Sequence, residues 1–273
     1  MATRLDDQTS GTDPGRLDPG TGTLAKGLAL LEAVATGAQP LRFTDLLKTQ
    51  PYPKATLHRL LKSLIEADMV IYDAEQRTYH PGLRLIRLAH SAWLRSSLAD
   101  VARDTLDELA VELGETIHLA VLDNGQVLYL DKRTATQPVT MFSSPGKVGP
   151  AHCTGVGKVM LAHLDSEALD RALERQSFHK YMPATIDTKT ALRTEIAEIQ
   201  KLGHGFDREE HEPNIICIAV PILSSRNTLL GGLSVTSTKF VTDLKKLGAY
   251  APKLKVAAAM IAEEATVRML PGT

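Results

Sequence analysis

The feature that most constrains this chain is the run 54–66, KATLHRLLKSLIE. Leu57, Leu60, Leu61, Leu64 and Ile65 recur at i, i+3, i+4, i+7 and i+8, which forms a single apolar stripe on an α-helix. The opposite face carries Ala55, Arg59, Lys62 and Glu66, flanked by Thr56, His58 and Ser63. Such a helix buries one side and offers small, hydroxylic and basic side chains on the other. Small residues let a helix sit deep in a DNA major groove, where arginine and hydroxyls reach bases and phosphates. A solvated amphipathic helix has the same periodicity, so the stripe by itself leaves both readings open.

The surroundings decide between them. A first helix is expected from Thr23, with Leu24, Leu28, Leu31, Val34 and Ala35 on its apolar face and Gly37 as its stop. A second short helix is expected after Thr44 as N-cap, with Phe43, Leu46 and Leu47 apolar, ending before Pro51-Tyr52-Pro53. Behind the third helix, 69–72 and 78–80 alternate as two strands around Asp73-Ala-Glu-Gln-Arg77. Three helices and a hairpin predict a winged helix-turn-helix over 23–81. Its candidate DNA contacts are Arg42, Lys54, Ala55, Thr56, His58, Arg59 and Lys62, with Arg77 at the tip of the wing. From 82 to 98, Leu83, Ile86, Ala89, Trp93 and Leu94 alternate with Arg84, Arg87 and Arg95 as a linker helix.

Charge follows the same division. Residues 23–95 hold ten basic against six acidic side chains, while the whole chain of 273 residues has a net charge of −1. A basic block joined to a slightly acidic remainder suits a small nucleic-acid-binding module attached to a second domain, although so modest an excess also occurs by chance. Residues 1–22, rich in Gly, Asp, Thr and Pro, read as a disordered tail, and 266–273 as a C-terminal tail. No stretch approaches the roughly 18 consecutive apolar residues of a membrane helix, and acidic residues stand where a signal peptide would be apolar. Two cysteines, Cys153 and Cys217, give no disulfide framework and no metal-type spacing. A cytoplasmic protein without a metal or other cofactor is expected.

Residues 99–265 read as an α+β domain in which an antiparallel sheet is flanked by helices. A helix over 100–113 precedes strands 116–122 and 127–132, joined at Asp123-Asn124-Gly125, a strong hairpin signal. A strand over 141–143, helices over 154–163 and 189–201, strands over 216–223 and 229–237, and a last helix over 242–265 follow. The chain has no Walker loop, no GxGxxG after a strand, no HExxH and no GxSxG elbow, so it is not expected to be an enzyme. Two other readings stay open. Cys153, beside His152 and ahead of a glycine-rich helix start, has the setting of an activated thiolate. Alternatively, the chain is an interaction module with a vestigial DNA-binding fold. The cluster Asp207-Arg-Glu-Glu-His211 reads as hydrogen-bonded structure around a turn rather than as metal ligands.

Several ordered motifs resemble those of the IclR (isocitrate lyase regulator) family of bacterial transcription factors. They are Leu24-Ala-Lys-Gly-Leu-Ala-Leu-Leu31, Lys54-Ala-Thr-Leu-His-Arg-Leu-Leu61, Glu115-Thr-Ile-His-Leu-Ala-Val-Leu122, His152-Cys-Thr-Gly-Val-Gly-Lys158, Asp207 through Cys217, and Leu233-Ser-Val-Thr236. The resemblance implies an N-terminal winged helix-turn-helix, a linker helix that drives dimerisation, and a GAF-like effector-binding domain. The partners it implies are double-stranded operator DNA, a second copy of the chain in a dimer or dimer of dimers, and a small-molecule effector. By motif, the effector site would comprise Met141, Gly155, Val156, Asp207, Ile215, Cys217, Ser234 and Thr236. Ser234 and Thr236 also share one strand face by period two, so both hydroxyls can meet one ligand. Helix N-terminal amides together with hydroxyls favour a small organic, sugar or aromatic acid.

Overall fold

In the computed structural model the described residues are 22–96, 98–134 and 141–269. Of the tail expected over 1–22 only Gly22 lies among them, and 270–273 lie outside. The chain divides into two compact units, with the boundary between Arg95 and Ser96.

The first unit contains α1 (Thr23–Thr36), β1 (Leu41–Arg42), α2 (Phe43–Thr49), α3 (Lys54–Glu66), β2 (Val70–Asp73), β3 (Thr78–Pro81) and α4 (Leu83–Ser96). The expected hairpin is present as β2 and β3. It gains a third antiparallel strand, β1, through the pairs Leu41↔Tyr79 and Arg42↔Thr78. The stripe of α3 does what its spacing predicts: Leu57, Leu60 and Leu61 are buried against Leu30, Leu31, Val34, Leu46, Val70 and Tyr79. Each such leucine contributes about 1.5–3 kcal/mol of transfer free energy.

Two local expectations fail here. Thr44 lies inside α2, whose N-cap position is Arg42, because Asp45 Oδ2 accepts the Arg42 N–H at 3.0 Å and so satisfies the helix start two residues earlier. In α1, Leu24 and Leu28 remain 77% and 49% exposed and Ala35 is exposed; the core is reached through Leu30, Leu31 and Val34, near the C-terminal end of the helix. Leu83 and Ile86 of α4 are likewise exposed within this unit.

The second unit contains α5 (Leu98–Leu113), β4 (Thr116–Asp123), β5 (Gln126–Arg133), β6 (Val148–Gly149), α6 (Gly155–Leu161), α7 (Ser166–Glu174), α8 (Lys189–Leu202), β7 (Gly205–Arg208), β8 (Ile215–Leu223), β9 (Leu229–Thr238), α9 (Leu244–Gly248) and α10 (Ala251–Met269). Its six strands form one antiparallel sheet in the order β6-β5-β4-β9-β8-β7. The β4–β5 turn is the expected one, with Asn124 and Gly125 both at positive φ, as a two-residue hairpin loop that follows strand twist requires.

Strand alternation separates two cores. Ile117, Leu119, Ile216, Ile218, Val220, Leu233 and Val235 pack with α5 and α10. Ala120, Tyr129 and Ala219 turn the other way and pack with α6, α7 and α8. The polar residues Ser234 and Thr236 alternate with Leu233 and Val235 and therefore lie on the α6 side.

Three expectations for this unit need correction. Residues 141–143 form no strand; the Phe142 N–H is donated to Glu212 Oε2 and the Ser143 carbonyl accepts Lys132 Nζ, so side chains take the backbone groups that a ladder would use. The sheet edge beyond β5 is instead β6. The last helix is two helices, since Pro252 has no N–H and its ring obstructs the carbonyl four residues back, which separates α9 from α10. The second of these continues through 269, beyond the expected end at 265. Neither α7 nor β7 was expected, α7 being capped by Asp165 Oδ1, which accepts the Ala168 N–H. No helix among the described residues is long and apolar enough to cross a membrane.

Candidate nucleic-acid interface and ligand cavity

The α3 surface opposite its buried leucines exposes Lys54, Ala55, His58, Arg59 and Lys62, with Thr56 half-buried. Lys62 lies 3.8 Å from Glu66 on the next turn, whereas Lys54 and Arg59 form no ion pair among the described residues. The His58 ring packs edge-on to Phe43, with centroids 6.2 Å apart, and this ties the helix to α2. Arg84 Nη1 donates to the Ala67 carbonyl at the end of α3. In the wing, Asp73 Oδ1 accepts the N–H groups of Glu75 and Gln76, and Arg77 leaves the turn at φ 56°. Because Arg42 pairs with Thr78, the register sets Arg42 beside this turn on the neighbouring strand. Two basic positions thus flank one end of the small sheet, and three more stand along α3.

In the second unit, all eight residues expected to meet an effector line one cavity of about 30 Å³: Met141, Gly155, Val156, Asp207, Ile215, Cys217, Ser234 and Thr236. Sheet register explains why stretches so far apart in sequence converge. Asp207 pairs with Cys217 and Cys217 with Thr236, a row across β7, β8 and β9; Ala219 pairs with Ser234 and Ser234 with His118, the next row. The start of α6 closes the space above these rows, and glycine is what permits it. A Cβ on Gly155 would stand 2.4 Å from Cys217 Sγ, and one on Gly157 would stand 2.5 Å from Ala151.

Six further lining residues were not expected: His118, Tyr129, Ser143, Thr154, His211 and Glu212. His118 and Thr116 carried a signal, as polar residues alternating with Ile117 and Leu119 in an apolar strand. Thr154, His211 and Glu212 lie inside the ordered segments 152–158 and 207–217, whereas Ser143 carried no signal of its own.

Burial dominates the electrostatics of the cavity. His118 hydrogen-bonds through Nδ1 to Thr236 Oγ1 at 3.2 Å and through Nε2 to Ser143 Oγ at 2.7 Å. Burial, helped by the Lys132 charge, holds its pKa down to about 3, so the ring is neutral. Burial and then the Glu210 charge push Asp207 up to about 7. Burial and then the Asp207 charge push the Cys217 thiol up to about 12. His211 falls to about 4 by burial and the nearby His152 charge, and its ring meets Tyr181 and Phe142 edge-on.

Behind the cavity, Lys158 is fully buried on α6, 2.5 Å from Glu210 Oε1 and 3.3 Å from Glu195 Oε1. The thiolate reading of Cys153 does not survive: the residue is fully buried, and burial together with Asp207 and Glu210 raises its pKa above the ordinary thiol value. No group of three or more His, Cys, Asp or Glu among the described residues could hold a metal ion.

Comparison with known proteins agrees with this geometry. Residues 90–263 match the family model described as the C-terminal domain of the bacterial transcriptional regulator IclR, and residues 23–74 match the IclR helix-turn-helix domain. The chain is 28% identical to the HTH-type transcriptional regulator XynR of Escherichia coli over 86% of its own length and 93% of that protein's. It is 30% identical to the acetate operon repressor of Salmonella typhimurium, over 78% and 79% of the two chains. Among solved structures, an IclR homolog from Microbacterium hydrocarbonoxydans complexed with 4-hydroxybenzoate shares the fold at a TM-score of 0.76, with 23% identity over 90% of this chain and all of that one.

Proposed function

The chain belongs to the IclR family of bacterial transcriptional regulators, and from that premise we propose that a small organic, sugar or aromatic acid binds at the β7–β8–β9 cavity, which widens from its volume of about 30 Å³, room for about one water, to admit it, and thereby changes affinity for operator DNA. The protein is a DNA-binding regulator and not an enzyme. Arg42, Lys54, Ala55, Thr56, His58, Arg59, Lys62 and Arg77 are the proposed DNA contacts, with α3 in the major groove and the wing over backbone or minor groove. The working form is a dimer or dimer of dimers acting in the cytoplasm. A dimer suits an operator with two half-sites, since each α3 reads one of them.

One observation carries the effector reading. Residues from five separate stretches, at 141, 155–156, 207, 215–217 and 234–236, meet in a single cavity lined also by hydroxyls, two imidazoles and backbone at the start of α6. Coupling between that cavity and DNA requires two states that the acid and the DNA prefer differently. The experiment is fluorescence anisotropy of the full chain on DNA from upstream of its own gene and its neighbours, across salt and a panel of organic, sugar and aromatic acids. The expected result is binding tighter than to a random duplex, weakening with salt as counterions are released, and shifted by a member of the panel. Binding no tighter than to the random duplex at every salt would sink the reading for those DNA segments.

A further inference from the structure

The cavity and the charges behind it do not balance. Glu210, 2% exposed, accepts Lys158 Nζ at 2.5 Å and the Arg208 N–H at 3.3 Å, all on Oε1. Glu195 Oε1 takes Lys158 at 3.3 Å and Arg208 Nη1 at 2.7 Å. Two cations, Lys158 and Arg208, are therefore shared by two glutamates. The third carboxylate of the cluster, Asp207, is 5% exposed and forms no ion pair among the described residues, although the Lys158 charge acts on it; it accepts the Glu210 N–H on Oδ1 at 2.8 Å. Glu210 Oε2 is buried with no hydrogen-bond partner, so it lacks a donor. Among the described residues, no lysine or arginine lines the cavity onto which Asp207 opens.

Two cations stand near the titratable groups around Asp207: Lys158, whose charge acts on it, and Lys132 on β5, which donates to the Ser143 carbonyl and acts on His118. Glu210, His211 and Glu212 follow Asp207 on its own loop, Lys158 lies on α6 and Glu195 on α8. Cys153 precedes α6, Cys217 lies on β8, Tyr129 on β5 and His118 on β4. None of the described cavity-lining groups brings a positive charge: His118 and His211 are held neutral, and burial keeps the Cys217 thiol and the Tyr129 phenol protonated.

We propose that Asp207 meets the effector as a protonated carboxyl, so that the cavity takes a monocarboxylate by sharing that proton between the two carboxyl groups. This rests on the reading of the cavity as an effector site and adds the class of ligand. The proton comes from solvent, no covalent bond changes, and the Asp207–effector pair carries one negative charge delocalised over a carboxyl–carboxylate pair, with Glu212 a separate carboxylate at the cavity. Ser143, Ser234 and Thr236 supply the remaining donors. A dicarboxylate or phosphate ester would bring a second charge with no cation to meet it, and an unpaired buried charge is strongly unfavourable. The push that burial and Glu210 give Asp207, up to about 7, agrees with a proton held there near neutrality.

The test is carbon-13 NMR of the full chain labelled at aspartate side-chain carboxyls, titrated between pH 4 and 9, with the Asp207 signal identified by its loss in Asp207→Asn. Infrared detection of a protonated carboxyl C=O stretch over the same range gives the same readout in the unsubstituted protein. The expected midpoint without added compound is near 7. Acetate, 4-hydroxybenzoate and gluconate serve as aliphatic, aromatic and sugar-acid probes, with sulfate as the dianion. At least one acid should raise the midpoint by about one unit or more, and sulfate should not. A midpoint below about 5 without added compound, or one that none of the three acids moves, overturns the proposal. A low midpoint in a protein whose DNA affinity still responds to an acid removes the proton-sharing alone and leaves the effector reading in place.

Discussion

Lys158 Nζ sits 2.5 Å from Glu210 Oε1 with both side chains buried, and this pair joins α6, which forms one wall of the cavity, to the loop that follows Asp207. The same loop is held from its other side by Thr185, whose hydroxyl donates to the Glu210 carbonyl. The cavity wall is thus fixed by a buried charge whose partners lie 37 and 52 residues further along the chain.

Removing one member of a buried pair leaves the other uncompensated, which typically costs about 3–5 kcal/mol. Lys158→Met is expected to destabilise the second unit by that order, and Lys158→Met combined with Glu210→Gln to recover much of the loss. Denaturant unfolding of the single and double variants measures this. Equal loss in both would show that the methylenes of Lys158, not its charge, support the wall.

Gly155→Ala places a methyl 2.4 Å from Cys217 Sγ, so α6 or β8 must shift. Overpacking of this kind costs about 1–3 kcal/mol. Adding Cys217→Ala removes the obstructing sulfur and is expected to restore stability, a favourable coupling in a double-mutant cycle. Strict additivity of the two substitutions would contradict the close approach.

The cavity predicts two opposite dependences of stability on pH. His118 is held down to about 3, so its contribution is present above the ordinary histidine value of 6.5 and is lost as pH falls toward 3, because the unfolded chain takes the proton first. Asp207 is raised to about 7 from 3.8, so its contribution is present below 3.8 and is lost as pH rises through about 7. Relative to the unsubstituted protein, His118→Gln should therefore gain stability as pH falls from 6.5, and Asp207→Asn as pH rises from 4 to 7. Each slope approaches 1.4 kcal/mol per pH unit at most, about the value of one proton. Thermal melts across pH would show it, and parallel profiles for both variants would refute the assignment.

The two units should separate in their responses. Arg59→Ala is expected to weaken specific DNA binding by about 1–3 kcal/mol if the side chain reads a base, while Ser234→Ala should spare DNA binding and blunt the response to an acid. Anisotropy with and without the acid resolves the two. An operator affinity unchanged in Arg59→Ala would take that residue out of the contact set.

What the sequence determined by itself was everything that local periodicity and turn chemistry encode. The leucines of α3 at helical spacing, the alternation of Leu233 and Val235 with Ser234 and Thr236, and the Asn124-Gly125 hairpin each follow from backbone geometry acting over a few residues. The ordered motifs then carried the eight proposed effector positions, and register brought them to one cavity.

Only the tertiary structure decided the rest, because it turns on partners distant in sequence. Residues 141–143 are apolar enough for a strand, yet Glu212 and Lys132 take their backbone groups. Leu24 and Leu28 have helical spacing, yet the core closes further along α1. His118 enters the cavity because β4 lies beside β9, and Lys158, a residue expected at a surface, is buried because Glu195 and Glu210 converge on it. Burial and charge at a site are sums over neighbours supplied by the fold, and no stretch of sequence contains them.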